Sequence, residues 1–138
     1  MNIKEKIKTF IVKKPLKLDC GKTINNFPIA YETYGSLNKN KDNAILVCHA
    51  FSGNHHAAGK SSDNKALGWW DEVIGPGKAI DTDKFFVVCS NNLGGCSGSS
   101  GPLSLNPETN ELYGKDFPLV SVTAVSYTHL TLPTKRIV

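Results

Sequence analysis

Two continuous apolar runs dominate the hydrophobic pattern of the chain. Residues 44–48 read AILVC and residues 85–89 read FFVVC. A strand with one face in solvent would alternate apolar and polar residues, so these uninterrupted runs predict strands buried on both faces. The long crossover between them carries a predicted helical piece of one or two turns at residues 68–74. That arrangement favours parallel pairing and an α/β fold.

The segment before the first buried run predicts antiparallel strands. Residues 27–34 alternate, with Ile29, Tyr31 and Thr33 on one side, and Gly35 ends the run. Residues 16–20 predict a shorter strand that pairs with them. The expected sheet is therefore mixed, with two antiparallel strands first and parallel buried strands after them.

Polar loops follow both buried runs. The first reads HAFSGNHH, and the second, SNNLGGCSGSSGPLSLNP, contains turn-forming Asn-Asn and Asn-Pro pairs that favour a rigid loop over a flexible linker. In open α/β sheets, ligands bind beyond the carboxyl ends of the parallel strands, so the two loops predict one side of a pocket. The candidate lining residues are His49, Ser52, Asn54, Asn91 and Gly94, with His55 and His56 as further candidates.

The motifs of nucleophilic catalysis are incomplete in this sequence. Residues 95–99 come nearest to the nucleophile elbow GxSxG, but they end in Ser and follow no strand that turns directly into a helix. Neither Cys96 nor Ser97 is therefore favoured as a nucleophile. The HAFSG stretch after a buried strand suits an oxyanion hole, in which the Phe51 amide would donate to developing negative charge. A plain strand-to-loop turn, with Ser52 as a cap and Gly53 at its end, explains the same residues and is favoured when they are taken alone.

Composition and charge exclude several classes of protein. The chain has 138 residues, of which 40% are hydrophobic and 20% charged, as in ordinary globular domains. Much of the net charge of +4 comes from residues near the two ends, and no basic stripe interleaved with aromatic residues argues for a nucleic-acid partner. No apolar run approaches the roughly 20 residues of a membrane span. The first ten residues lack the apolar core of a signal peptide, so a cytoplasmic location is expected.

The four cysteines do not form a CxxC pair. Cys48 and Cys89 end apolar runs and are expected to be buried, reduced thiols, so a disulfide framework is disfavoured. A zinc site built from Cys48, His49, His55 and His56 is also disfavoured, because the adjacent histidines lack the helical spacing that would let them converge on one ion. We expect no bound metal and no bound cofactor.

Five longer blocks resemble the N-terminal part of the homoserine O-acetyltransferase family. In order they are YETYG (31–35), CHAFSG (48–53), GWWDEVIGPGKAIDTDKFFVVCSN (68–91), LGGCSGSSGP (93–102) and NPETNELYGKDFPLVSV (106–122). The resemblance covers residues 16–122 and implies the α/β-hydrolase fold, here as an incomplete, N-terminal half of the sheet. A serine O-acyltransferase or an esterase of the same fold is the alternative, and a small non-catalytic binding module is the alternative of another class.

The resemblance implies transfer of an acetyl group from acetyl-CoA to the hydroxyl of L-homoserine, in methionine biosynthesis. Such enzymes use a serine nucleophile, a histidine base and an aspartate. Phe51 matches the position of the oxyanion-hole residue, where the family usually has Leu, and Ser52 stands where Thr is usual. The three catalytic side chains belong to a later part of the family pattern, so none is expected in this chain. A homodimer is expected only for full-length members.

The last residues depart from the family pattern. Residues 125–134, VSYTHLTLPT, resemble the translation of a transposase adapter used in sequencing libraries. We therefore expect a partial α/β-hydrolase domain at 1–123 and a non-native tail at 124–138, in which His129 is not the catalytic base. The alternative is a natural strand, because the tail alternates. Without the strand that leads to the nucleophile, the run at 44–48 should form a bare sheet edge, and we expect a marginally folded, inactive polypeptide.

Overall fold

The computed structural model describes residues 8–61 and 66–131. Its elements in chain order are β1 (Lys8–Val12), β2 (Leu16–Lys17), β3 (Thr23–Ile24), β4 (Phe27–Tyr34), β5 (Ala44–Val47), β6 (Ile74–Gly75), β7 (Ile80–Asp81), β8 (Phe86–Ser90), a 3-10 turn (Gly114–Asp116) and α1 (Val122–Thr131). The main sheet has four strands in the order β1-β4-β8-β5. Strand β4 pairs antiparallel with β1 and β8, whereas β5 pairs parallel with β8. The mixed sheet predicted from the sequence is therefore confirmed.

The strand that precedes β4 in the chain and pairs with it differs from the prediction. It is β1, with Phe10 opposite Ile29, and not the segment at 16–20. That segment forms the two-residue strand β2, which pairs with β3 in a separate hairpin. The reason is local: Gly21 has a φ of 82°, and its amide donates to the carbonyl of Leu18, so the chain reverses at once and pairs with its nearest neighbour.

The two predicted buried strands differ in their burial. All five residues of β8 are buried, as expected for a strand with neighbours on both sides. In β5, Ala44 is exposed, Ile45 and Leu46 are half-buried, and only Val47 is buried. The prediction that this strand is buried on both faces is thus wrong. Within residues 8–61 and 66–131, β5 has β8 as its one neighbour and lies at the edge of the sheet, as the expected bare edge requires.

Two hydrophobic clusters pack against the sheet. The first contains Val12, Leu16, Leu18, Ile24, Phe27, Ile29, Leu93 and Ala124. The second contains Val47, Ala57, Ala58, Ile74, Val87 and Cys89. Because successive side chains of a strand point to opposite faces, β4 contributes Ile29 to the first cluster while Tyr34 packs against the second. The second cluster therefore packs the 57–58 segment onto the strands whose ends carry the polar loops.

The predicted helical piece at 68–74 is a single turn. The amides of Val73 and Ile74 both donate to the carbonyl of Trp70, at 2.9 and 3.0 Å, and Ile74 then begins β6. Gly68 is buried against the 57–58 backbone. A Cβ at this position would lie 2.2 Å from the amide nitrogen of Ala58, so only glycine allows the approach.

The C-terminal segment is helical from residue 122 to residue 131, so the alternative of a natural strand there is wrong. Ala124 is buried in the first cluster. The division into a domain at 1–123 and a non-native tail remains a prediction, and the side chain of His129 lies outside the described residues. Within the described ranges, no helix has the length and apolar character that a membrane crossing requires.

Candidate functional site

The two polar loops leave the sheet at the same edge. In the parallel pair, Val47 lies opposite Cys89, so β5 and β8 end side by side. The segments at 48–58 and 91–101 therefore begin next to each other. This is the edge of an α/β sheet at which ligand sites are built.

The first loop begins with a tight turn that presents a free amide. The Gly53 amide donates to the carbonyl of Ala50 at 2.8 Å, which places Phe51 and Ser52 at the centre of a four-residue turn. Neither has a positive φ, as in a type I turn. The Phe51 amide donates to no residue that the structure describes, and its side chain is fully exposed. The turn can therefore offer one backbone donor to a bound group.

His49 joins this turn to the second loop. Its ring is buried, Nδ1 lies 2.7 Å from the carbonyl oxygen of Ala50, and Nε2 lies 3.2 Å from the amide nitrogen of Asn92. The carbonyl needs a donor and the amide needs an acceptor. Only the neutral ring with its proton on Nδ1 satisfies both. Sequence reasoning named His49 as a lining residue, and in the structure both of its ring nitrogens contact backbone.

Buried serines hold the second loop against β4. The Ser99 hydroxyl accepts from the amide of Ala30 at 3.0 Å and donates to the carbonyl of Asn91 at 2.8 Å. The amides of Asn91 and Ser100 donate to the carbonyls of Ala30 and Pro28, at 2.7 and 2.9 Å. The Ser99 hydroxyl therefore links the second loop to β4 where neighbouring strands of a sheet would be linked by backbone hydrogen bonds. These bonds agree with a rigid loop, which remains a prediction.

A buried carboxylate lies beneath the first loop. Glu32 is 3% exposed on β4, and its Oε2 accepts from the Tyr34 hydroxyl at 2.7 Å and contacts Nδ1 of His56 at 3.1 Å. The same hydroxyl accepts from the amides of Ala57 and Ala58, at 2.8 and 3.1 Å. Burial, reinforced by the bond to Glu32, raises the pKa of Tyr34, so the hydroxyl stays protonated and keeps donating.

Sequence reasoning missed this network, although the sequence contains a signal for it. Ile29, Tyr31 and Thr33 share one face of β4, so position 32 falls on the opposite face. That face covers the second cluster. A carboxylate placed there must find donors, since an unpaired buried charge is very unfavourable. The pattern could have pointed to Glu32 but not to its partners, which come from a loop.

His55 is buried next to this network at 4% exposure. Burial lowers its pKa from the ordinary value, and the charge of Glu32 opposes that shift only in part. The ring is therefore neutral at pH 7. Its Nδ1 and the hydroxyl of Ser90 are buried without a hydrogen-bond partner in the structure as described.

An open groove of about 610 Å³ lies beside the turn. Its lining includes Phe51 and Gly94, together with apolar side chains such as Leu93, Phe117 and Val120. The other residues predicted to line a pocket are placed differently. Ser52 is exposed, whereas Asn91 is buried. Asn54 is half-buried, and its side-chain oxygen accepts from the amide of His56 at 2.9 Å.

The thiols are all free, and they differ in burial. Cys89 is buried, as predicted, and burial raises its pKa to about 12. The prediction that Cys48 is buried is wrong, because it directly follows an edge strand and is exposed. Cys96 is exposed in the second loop. Among the described residues, no three His, Cys, Asp or Glu side chains are placed to hold a metal ion.

Comparison with curated proteins gives close relatives. The chain is 57% identical over 122 residues to the homoserine O-acetyltransferase of Pelagibacter ubique, covering 88% of this chain and 33% of that protein. It is 63% identical over 109 residues to a homoserine O-succinyltransferase of Neisseria gonorrhoeae, covering 78% and 29%. The chain thus spans about a third of the length of these relatives. No family model matches it.

Solved structures give the same picture for the fold. The homoserine O-acetyltransferase of Bacillus anthracis superimposes with a TM-score of 0.83 at 41% identity, covering 94% of this chain and 36% of that one. The esterase E22 superimposes with a TM-score of 0.81 at 39% identity, covering 94% and 37%. The prediction of a partial α/β-hydrolase fold is therefore confirmed.

Proposed function

We infer that this chain is the oxyanion-hole part of an acyltransferase of the homoserine O-acetyltransferase family, of whose relatives it spans about a third. The proposed reaction moves an acetyl group from acetyl-CoA to the side-chain hydroxyl of L-homoserine, a step of methionine biosynthesis. Acetyl-CoA is then a co-substrate and not a bound cofactor.

The observation that carries this proposal is the free amide of Phe51. Attack on a thioester or ester carbonyl places negative charge on its oxygen, and backbone amides aimed at that oxygen stabilise the transition state. The Gly53–Ala50 bond fixes the turn that carries the amide. His49 anchors the turn to the second loop, so the donor is held in place before any substrate arrives. Such preorganisation is what makes a backbone donor effective.

We assign no catalytic side chain to this chain. The serine nucleophile, the histidine base and the aspartate that the family uses are proposed to come from the remaining two thirds of a full-length enzyme. On this proposal the 138 residues alone do not turn over acetyl-CoA. The complete enzyme would be a cytoplasmic homodimer acting on small molecules, with no nucleic-acid or membrane partner.

A chimeric enzyme tests the proposal. In the Pelagibacter ubique homoserine O-acetyltransferase, the aligned segment is replaced by the matching 122 residues of this chain. CoA release is followed with acetyl-CoA or succinyl-CoA as donor, and with L-homoserine or L-serine as acceptor. We expect acetyl transfer to L-homoserine, with the parent enzyme as positive control and the 138-residue chain as blank.

Each other outcome points to a different reading. Preference for succinyl-CoA would change the donor, and preference for L-serine would change the acceptor. Hydrolysis of acetyl esters without transfer would favour an esterase, the second candidate, which is supported by the similarity to esterase E22. A folded chimera without any of these activities would contradict the proposal.

A further inference from the structure

We propose that Glu32 is a positioning residue for the oxyanion turn, acting through Tyr34 and His56. The inference rests on the proposed function, since it concerns the placement of the Phe51 amide. Glu32 lies on β4, the strand between β1 and β8, so its carboxylate is attached to the interior of the sheet. It is 3% exposed and belongs to none of the catalytic roles discussed above.

The carboxylate gathers two side chains that reach the first loop. Nδ1 of His56 lies 3.1 Å from Oε2 and 3.3 Å from Oε1, and the Tyr34 hydroxyl donates to Oε2 at 2.7 Å. The hydroxyl in turn accepts from the amides of Ala57 and Ala58. Three consecutive loop residues are thereby tied to one strand of the sheet.

These ties lie close to the turn that carries the donor. His56 is three residues past Gly53, the last residue of the turn. The intervening Asn54 accepts from the His56 amide through its side chain, and from Nε1 of Trp69 through its carbonyl at 2.9 Å. On the other side of the turn, His49 accepts from Asn92. The turn is therefore anchored at both ends. On its C-terminal side, Glu32 supplies the tie to the sheet, beside backbone bonds from the amides of Trp69 and Trp70 to the carbonyls of His56 and Ala57.

The network has a chemical reason to depend on a polar side chain at position 32. The tyrosine hydroxyl donates to Oε2, and Nδ1 of His56 lies within hydrogen-bond distance of the same carboxylate. A leucine of similar volume offers neither partner a polar group, whereas a glutamine could bond to both through the other tautomer of His56. Glu32→Leu should therefore release 56–58 from the sheet while changing the side-chain volume little. The exposed Glu111→Leu is the matched control.

The first arm of the test is structural and independent of catalysis. Backbone amide NMR spectra of the 138-residue chain are compared for the parent, Glu32→Leu and Glu111→Leu. We expect Glu32→Leu to shift the Phe51 and Ser52 amide resonances as well as those of Ala57 and Ala58, with β1 unchanged. Shifts confined to 56–58 would show purely local support and would overturn the proposal. His56→Leu, at a half-buried position, serves as a milder variant should Glu32→Leu fail to fold.

The second arm uses the chimera. At a temperature where every variant is folded, Glu32→Leu should lower kcat about ten- to hundredfold with unchanged KM, because misplacing a catalytic group by about 1 Å costs up to roughly that factor. Unchanged kcat in a folded, destabilised variant would overturn the proposal, since a structural role alone moves only stability. If the parent chimera were inactive, the proposed function would fail, while the NMR arm would still decide the positioning.

Discussion

Removing one hydroxyl from the buried network should destabilise the chain strongly. Tyr34→Phe deletes the donor to Glu32 and the acceptor for the amides of Ala57 and Ala58. Ala58 is 3% exposed, so water cannot replace its lost partner, whereas the Ala57 amide keeps a 3.0 Å bond to the carbonyl of His55. A buried donor left unsatisfied costs about 1–3 kcal/mol, so the Ala58 amide alone predicts a loss of about 1–3 kcal/mol in unfolding free energy. Domains of this size have about 5–15 kcal/mol in total.

The assay is urea unfolding followed by tryptophan fluorescence, with Tyr31→Phe as the matched control. Tyr31 lies on the same strand but on the opposite face, and its hydroxyl bonds to no residue that the structure describes. We expect a much lower midpoint for Tyr34→Phe, or loss of the cooperative transition, and a nearly unchanged midpoint for the control. Equal midpoints for the two variants would refute the reasoning, because they would show that the hydroxyl bonds do not stabilise the loop.

Two further predictions follow from burial. Because burial raises the Cys89 pKa from 9.0 to about 12, the folded state favours the neutral thiol, and the resulting stability is lost as pH rises from about 9 to 12. Cys89→Ala should therefore flatten the fall of urea midpoints over that range. The remaining slope comes from the other groups whose pKa burial raises, which are Tyr31, Tyr34, Cys48 and Tyr113. Identical slopes would contradict the burial. Gly68→Ala should abolish cooperative unfolding, because its Cβ would lie 2.3 Å from the carbonyl carbon of Ala57. The control Gly77→Ala, whose Cβ meets nothing within 4 Å, should lower the unfolding free energy much less. Similar urea midpoints for the two variants would count against the close approach.

The sequence predicted the second buried strand to within one residue: β8 spans Phe86–Ser90, and Phe85 lies exposed before it. An uninterrupted apolar run has one stable environment in an α/β sheet. The same rule failed at 44–48, since the burial of a strand also depends on neighbours that the run itself does not specify. The β1–β4 pairing was missed for a similar reason: the sequence FIV at residues 10–12 is a short apolar cluster without a strand pattern, and register is decided by distant residues. Local turn chemistry, in contrast, correctly indicated a turn-rich Gly/Ser loop after the second buried strand.

The candidate site was predicted in part. The turn at 50–53 could be placed from its position after a strand, whereas its anchors could not. His49 contacts Asn92 across 43 residues of sequence, and Glu32 contacts His56 across 24. Contacts of that separation leave no local pattern. Only the carboxylate on a core-facing strand position signalled that a polar network must exist.

The most direct test removes the Phe51 amide alone. Proline is favoured at the second residue of a type I turn, so Phe51→Pro in the chimera should keep the turn while deleting its N–H. Phe51→Leu, which keeps the amide and changes only an exposed side chain, is the control. We predict that Phe51→Pro lowers kcat about 10²–10³-fold, the usual cost of one oxyanion donor, and that Phe51→Leu retains full activity. Full activity in a folded Phe51→Pro chimera would contradict the assignment of this turn to the oxyanion hole.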